Sequence, residues 1–302
     1  MRILLTGTSG QVGGALHDVL AGRHEVLAPK RAEFDLAAPE TLDRALDRLK
    51  PDFILNPAAY TAVDRAEDER ELAFRVNGEA PSAMAGWAAR QDVPLLHFST
   101  DYVFDGSGER PWREDDSCRP LSAYGQSKLA GEAGIREAGG SHLIVRTSWV
   151  FAATGANFLR TMIRLARERP ELRVVSDQIG APTSARSIAE ATGKLIEGDV
   201  TRLRATFARG NLVHLANSGS TSWHGFASRI VDGLRARQVP LKVVEVVPIP
   251  TSDFPTKAVR PANSRLDLTR LNEKFGVITP SWQDALDIEL ETFVKAEKLA
   301  SN

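Results

Sequence analysis

The sequence predicts an α/β protein: a doubly wound, Rossmann-type parallel sheet with a smaller C-terminal α/β lobe. Three observations carry this. Short apolar, β-branched runs alternate with longer stretches whose aliphatics recur at three- and four-residue spacing. A glycine-rich turn follows directly on the first run. The chain has 302 residues, against a soft prior of ~150 for one domain.

Taken in order, the apolar runs place strands at Arg2–Thr6, His24–Ala28, Phe53–Asn56, Leu95–Ser99, His142–Thr147, Leu172–Ser176 and Val213–Ala216. Helical spacing fills the intervals at Gln11–Leu20, Glu40–Leu49, Arg65–Arg90, Tyr124–Glu137, Asn157–Glu168 and Ser187–Glu197. Strands alternating with helices imply right-handed crossovers and helices on both sheet faces. After residue 217 the pattern loosens, broken by Pro248, Pro250, Pro255 and Pro261, and two short helices follow near Leu266–Lys274 and Ser281–Lys295. The expected division is a dinucleotide-binding domain of residues 1–150 plus 171–217, and a substrate domain of 151–170 plus 218–302. The parallel sheet is expected to resume at Leu172.

Composition excludes several functional classes. Lys+Arg is 38 and Asp+Glu is 39, a net charge of -1, so the basic excess of a nucleic-acid binder is missing. No apolar run approaches the ~20 residues of a membrane helix. The apolar start before Gly7 is too short for a signal-peptide core. The single cysteine, Cys118, permits no internal disulfide and points to a reducing, cytoplasmic setting.

The first strand runs into Gly7-Thr8-Ser9-Gly10-Gln11-Val12-Gly13. Gly7 allows a tight turn, Gly10 lets a pyrophosphate approach the backbone, and Gly13 lets the helix pack on the strand. The helix start at Gln11 and Val12 offers free N–H groups to the phosphates. The second strand ends in Ala28-Pro29-Lys30-Arg31, with no acid at its tip. Lys30 and Arg31 suit a 2′-phosphate, which favours NADPH over NADH. Asp35 and Leu36 follow as an adenine border. Ala58, Ala59 and Tyr60, after the third strand, let the backbone run close to a cofactor.

Thr100 and Asp101 end the fourth strand, at the usual ligand edge of an open parallel sheet. Tyr124 and Lys128 lie four apart on one helix face. A neighbouring ammonium is expected to lower the phenol pKa and to hydrogen-bond a ribose. Such a Tyr hands a proton to a carbonyl oxygen while a nicotinamide delivers hydride to carbon, with Thr100 holding the oxygen.

These residues, with NPAAYTAVDRAE at 56–67, STDYVFDG at 99–106, YGQSKLAGE at 124–132, RTSWVF at 146–151, DQIGAPT at 177–183 and RPANSRL at 260–266, carry a resemblance. The chain resembles the extended short-chain dehydrogenases/reductases, and within them the dTDP-4-dehydrorhamnose reductase family, over nearly its whole length. The resemblance implies reduction of the 4-keto group of a dTDP-6-deoxy-sugar by NADPH. It implies Tyr124 as general acid, Lys128 as its partner and Thr100 on the keto oxygen. It also implies a substrate site of Asp101, Val63, Trp149, Arg260 and Asn263, with Arg265 near the nucleotide end.

Some members of the family hold Mg²⁺ between carboxylates at a dimer contact. Ala15 and Arg186 stand at two of those positions here. An alanine cannot ligate and an arginine repels a cation, so no metal is expected and the oligomeric state stays open. A dehydratase of the same superfamily would carry Asp-Glu after the Thr, where this chain has Asp101-Tyr102. The reading from another class is a non-catalytic NADP-binding subunit like that of methionine adenosyltransferase. Among the six histidines no metal-ligand spacing occurs, and His97 reads as packing or hydrogen-bonded structure. Trp223 reads as a helix anchor.

Overall fold

The computed structural model describes residues 1–207 and 211–300. Its first half runs β1 (Arg2–Leu5), α1 (Gln11–Leu20), β2 (Glu25–Leu27), α2 (Leu42–Leu49), β3 (Phe53–Asn56), α3 (Arg70–Phe74), α4 (Ala80–Arg90), β4 (Leu95–Thr100), α5 (Ala123–Ala138) and β5 (His142–Thr147). Then come β6 (Val150–Phe151), α6 (Phe158–Glu168), β7 (Glu171–Val175), β8 (Ile179–Gly180), β9 (Thr183–Ser184), α7 (Ala185–Leu195), α8 (Val200–Phe207) and β10 (Asn211–His214). The chain ends with β11 (Thr221–Ser222), α9 (Trp223–Ala236), β12 (Glu245–Ile249), β13 (Asn263–Ser264), α10 (Thr269–Phe275) and α11 (Trp282–Ala300).

Six strands form one parallel sheet in the order β2-β1-β3-β4-β5-β10. Strand alternation divides the core into two layers. Ile3, Leu5, Phe53, Leu55, Leu96 and Phe98 pack with Leu16 and Leu20 of α1 and Ile188 of α7. Leu4, Ile54, Leu95 and Ile144 pack with Leu42 and Leu46 of α2, Met84 of α4 and Ile135 of α5. Both faces are covered, so the strands read as continuous apolar runs. Each fully buried side chain of this kind contributes about 1.5–3 kcal/mol. Strand order reverses between β1 and β3, the switch point that opens a ligand crevice at the strands' carboxyl ends.

Two expectations need correction. The strand read at Leu172–Ser176 does not resume this sheet: β7 pairs with β12, in register from Glu171↔Glu245 to Val175↔Ile249. The place beside β5 is taken by β10. Pro248 inside β12 hides that partner, because proline demotes an apolar run to an edge position. The helix read at Arg65–Arg90 is broken by a 3₁₀ turn at Arg65–Glu67 and a wide π-helical turn at Arg75–Glu79. That wide turn carries Asn77, which bridges the Tyr60 N–H (2.8 Å), the Tyr60 carbonyl (3.0 Å) and the Ser127 hydroxyl (3.0 Å). A separate core holds Leu159 and Ile163 of α6, Leu172 of β7, Phe226 and Ile230 of α9, and Leu286 and Leu290 of α11. No described helix is long and apolar enough to cross a membrane.

Candidate active site

The glycine turn is built as its spacing requires. Gly7 has φ 62°, a left-handed conformation that a side chain would strain. The Gly10 N–H donates to the Gly7 carbonyl at 2.9 Å. A Cβ on Gly13 would stand 2.1 Å from that carbonyl oxygen, so only glycine lets α1 pack there. No side chain caps α1, which leaves its first N–H groups for a ligand.

Beside the turn lies a cavity of about 650 Å³ lined by Gly7, Lys30, Arg31, Asp35, Leu36, Ala58, Ala59 and Tyr60. Lys30 and Arg31 are exposed, and Arg31 lies 3.5 Å from the Asp35 carboxylate. Gly10 and Gln11 line an adjoining cavity of about 630 Å³. Val12 turns its side chain onto the sheet core, so only its backbone faces the turn. The Gln11 Oε1 is buried without a partner. Arg65 and Glu69, which the sequence reading assigned to no site, also line the first cavity, and Glu69 accepts the Tyr60 hydroxyl at 2.6 Å.

Tyr124 enters the site from the first turn of α5, which Ser122 caps by accepting the Gly125 N–H at 3.2 Å. Its phenol lies near Thr100, and its ring meets Tyr102 edge-on at 5.5 Å. The Thr100 hydroxyl donates to Asp101 Oδ1 at 3.0 Å, while Asp101 Oδ2 is buried with no partner. Burial pushes the Asp101 carboxyl up to about 6, opposed by the Ser264 and Thr100 hydroxyls near it. Burial likewise pushes the Tyr124 phenol up to about 12.

Lys128 lies one turn further along α5 from Tyr124. The Lys128 Nζ donates to the Phe98 carbonyl at 2.6 Å and lies 3.1 Å from His97 Nε2, turned into the sheet. Burial lowers its own pKa to about 7. In this state desolvation decides both groups, and the phenol is held up as a proton donor.

A second cavity, also of about 630 Å³, lies between α6, β7 and the loop after β12, with Gln178, Trp223, Phe254 and Arg260 in its wall. Arg260 reaches across to Asp64 with two bonds of 3.1 and 2.6 Å, and Asp64 also accepts the Ala258 N–H at 3.1 Å. Val63, half-buried, precedes that aspartate. Trp149 stacks face to face on Trp223 with centroids 3.5 Å apart, and Trp223 lines the cavity. Trp223 therefore starts α9 and also walls the cavity, where the sequence reading gave it an anchor's role only.

Asn263 is buried; its Nδ2 donates to the Arg110 carbonyl at 2.8 Å and its Oδ1 accepts the Arg265 N–H at 3.2 Å. It ties two loops together. Arg265 likewise donates to the Glu109 carbonyl at 2.6 Å.

Tyr124 joins these two halves. It packs with Tyr60, which lines the first cavity, around Ala66, Ala73 and Ala123. On its other side, Tyr102 contacts Arg260 of the second.

The family model described as the RmlD substrate binding domain matches residues 1–294. A dTDP-4-dehydrorhamnose reductase of Burkholderia thailandensis is 48% identical over 290 residues, covering 95% of this chain and 97% of that one. This chain belongs to the dTDP-4-dehydrorhamnose reductase family. The Salmonella typhimurium reductase is 42% identical over 287 residues, 94% of this chain and 95% of that one. A Bacillus anthracis dTDP-4-dehydrorhamnose reductase, solved in complex with NADP, superposes with a TM-score of 0.87 at 32% identity, covering 96% of this chain and 99% of that one. A Thermotoga maritima UDP-glucose 4-epimerase shares the fold alone, with a TM-score of 0.80 at 18% identity.

The Mg²⁺ that the family resemblance implies does not fit the residues present. Ala15 and Arg186 line the cavity of about 630 Å³ beside α1, together with Glu289. The Arg186 Nε lies 3.5 Å from the buried Glu289 carboxylate, which also accepts the Ala153 N–H at 2.7 Å. The guanidinium already pairs with that carboxylate and sets a fixed positive charge beside it. Among the described residues no cluster of three or more His, Cys, Asp or Glu is placed to hold a metal. Treatment with EDTA is therefore expected to leave the sedimentation coefficient unchanged; a shift to a smaller species would contradict the assignment of Arg186.

Proposed function

We propose that this chain reduces the 4-keto group of dTDP-4-dehydro-6-deoxy-L-mannose to give dTDP-L-rhamnose, with NADPH as reductant, in the cytoplasm. The observation that carries the reading is the Tyr124–Thr100 pair between a cavity lined by the glycine turn and one walled by Trp223 and Arg260. NADPH, when bound, supplies the hydride to the keto carbon.

The chain's own residues do the rest. The first N–H groups of α1 and the turn Gly7–Gly13 hold the pyrophosphate. Lys30 and Arg31 hold the 2′-phosphate. Thr100 and Tyr124 both hydrogen-bond the keto oxygen, and the Tyr124 hydroxyl gives its proton to that oxygen as charge develops there. Lys128 and Thr100 then face the phenolate. Asp101, with one oxygen unpartnered, accepts a sugar hydroxyl. Val63, Trp149 and Arg260 border the sugar nucleotide. The two lobes correspond to the two ligands, with α6, β7, α9, β12 and α11 forming the sugar-nucleotide lobe.

The test is consumption of NADPH with dTDP-4-dehydro-6-deoxy-L-mannose and identification of the product by NMR. No turnover, with copurification of a partner enzyme instead, would replace this reading by the non-catalytic one.

The Lys30→Ala/Arg31→Ala variant is expected to lower the ratio of NADPH to NADH kcat/KM by about ten- to a hundredfold, the loss of one or two charge-assisted hydrogen bonds. An unchanged ratio would remove these residues from the 2′-phosphate site.

A further inference from the structure

The fourth strand places His97 opposite Asn56 of β3 and Ile144 of β5. Leu95 packs into the layer beneath α4 and α5. Two residues on, His97 is completely buried and meets Lys128 of α5. A line of hydrogen bonds reaches it from the glycine turn. The Ala58 N–H donates to Thr6 Oγ1 at 3.2 Å, and the Thr6 hydroxyl donates to Asn56 Oδ1 at 2.6 Å. The Asn56 amide then donates from Nδ2 to His97 Nδ1 at 2.9 Å.

This line fixes the imidazole. With Nδ1 accepting, the neutral ring carries its proton on Nε2. Turning the Asn56 amide over would set two donors on the Thr6 oxygen and leave the Thr6 proton with no acceptor in the line. Nε2 lies 3.1 Å from Lys128 Nζ. An ammonium has three donors and no lone pair, so an Nε2–H is matched there only by an uncharged amine. That amine keeps one N–H for the Phe98 carbonyl at 2.6 Å. We infer that Asn56 and His97 are positioning residues that hold Lys128 as an uncharged amine in the free protein, and that Lys128 takes up a proton when the anionic cofactor binds.

The surroundings agree. Burial holds the His97 pKa well below the ordinary imidazole value, which keeps the ring neutral. Burial brings Lys128 to about 7, opposed by Glu132. The other ionisable groups around this helix are engaged elsewhere: Glu132 with Arg146 and Arg136, Glu67 with the Ala123 N–H, Asp101 with Thr100. Tyr124 stays protonated.

The step balances simply. A proton from solvent adds to the amine lone pair, and no electrons change hands. The Nε2–H···Nζ bond is lost with it, which releases the ammonium from His97 towards Tyr124, one turn earlier on α5. The charge thus arrives with the reductant, in time to stabilise the phenolate.

This inference rests on the NADPH reading above, and the experiment separates the two. In the free protein labelled with ¹⁵N-imidazole histidine, long-range ¹H–¹⁵N spectra are expected to show His97 protonated at Nε2 alone, assigned by its absence in His97→Gln. Protonation at Nδ1 overturns the inference whether or not cofactor binds.

Calorimetric titration with NADPH in buffers of different ionisation enthalpy is expected to show uptake of about one proton at pH 8 that Lys128→Met abolishes. In Asn56→Asp the carboxylate accepts from Nδ1–H, the ring turns Nε2 into an acceptor, and the uptake is expected to vanish because Lys128 is already charged. Binding without Lys128-dependent uptake overturns the inference and leaves the cofactor assignment standing. Absence of any binding heat overturns the cofactor assignment.

Discussion

Replacing Tyr124 by Phe is expected to lower kcat by about 10²–10⁴-fold, the usual share of a positioned general acid. NADPH affinity is expected to stay within about twofold, because the group acts on the proton and not on the cofactor's phosphates. The substitution removes one oxygen and keeps the ring that packs on the Ala66, Ala73 and Ala123 cluster and against Tyr102. It strands no partner: the Thr100 hydroxyl still donates to Asp101 Oδ1 at 3.0 Å. A loss of rate therefore reports chemistry and not collapse of the pocket. In the free protein burial holds the phenol up at about 12, so the acid is loaded before the cofactor binds. Rates are to be measured with dTDP-4-dehydro-6-deoxy-L-mannose and NADPH, beside fluorescence titration of NADPH. A Phe variant turning over at the parental rate would remove Tyr124 from the mechanism.

What the sequence showed of this site was whatever lies within one turn of chain. The glycines at 7, 10 and 13 and the Tyr124–Lys128 pair are local, and their spacing alone dictates a shared turn or a shared helix face. The parallel sheet was legible for a similar reason. Strands buried on both faces leave unbroken apolar runs, and those at 53–56 and 142–147 match strands of the fold. The rest is non-local. Arg260 meets Asp64 across 196 positions of sequence, and Trp149 meets Trp223 across the lobe, and no periodicity records either contact.

The direction in which Lys128 acts was likewise hidden. Spacing placed an ammonium near a phenol, but burial and the His97–Asn56 line decide its charge. A histidine in the middle of strand β4 was the available signal, and packing or hydrogen-bonded structure describes its place without accounting for its effect. Around the second core, Pro248 masked β12 and left β7 looking like a member of the wrong sheet.

The largest effect on stability is expected at Arg146, beneath the site. Arg146 is 1% exposed and Glu132 is 0% exposed. They are joined by two bonds of 2.8 and 2.7 Å, and the Ser99 hydroxyl donates to the same carboxylate at 2.6 Å. The guanidinium also lies over the Phe104 ring at 5.0 Å and donates to Cys118 Sγ at 3.2 Å. Replacing Arg146 by Met fills much of the volume but leaves the carboxylate buried with Ser99 and the half-exposed Arg136. Breaking one side of such a pair costs about 3–5 kcal/mol. At roughly 2–4 °C per kcal/mol for large domains, Tm should fall by about 10 °C.

The pH dependence gives the sign. In the parent, burial works against the Glu132 carboxylate, yet the bonds from Arg146 and Ser99 outweigh it and hold its pKa below the ordinary value. That contribution is present above the unfolded carboxylate pKa and is lost as pH falls through the folded one. In Arg146→Met burial dominates and the pKa rises, so the variant recovers stability as acid neutralises the group. The gap in urea midpoint between parent and variant is therefore expected to narrow from pH 8 to pH 5. Arg146→Met/Glu132→Leu, with both charges gone, is expected to recover most of the loss. A gap that is constant with pH, or a double variant no better than the single one, would mean that Arg146 acts by packing on Phe104 and not by neutralising Glu132.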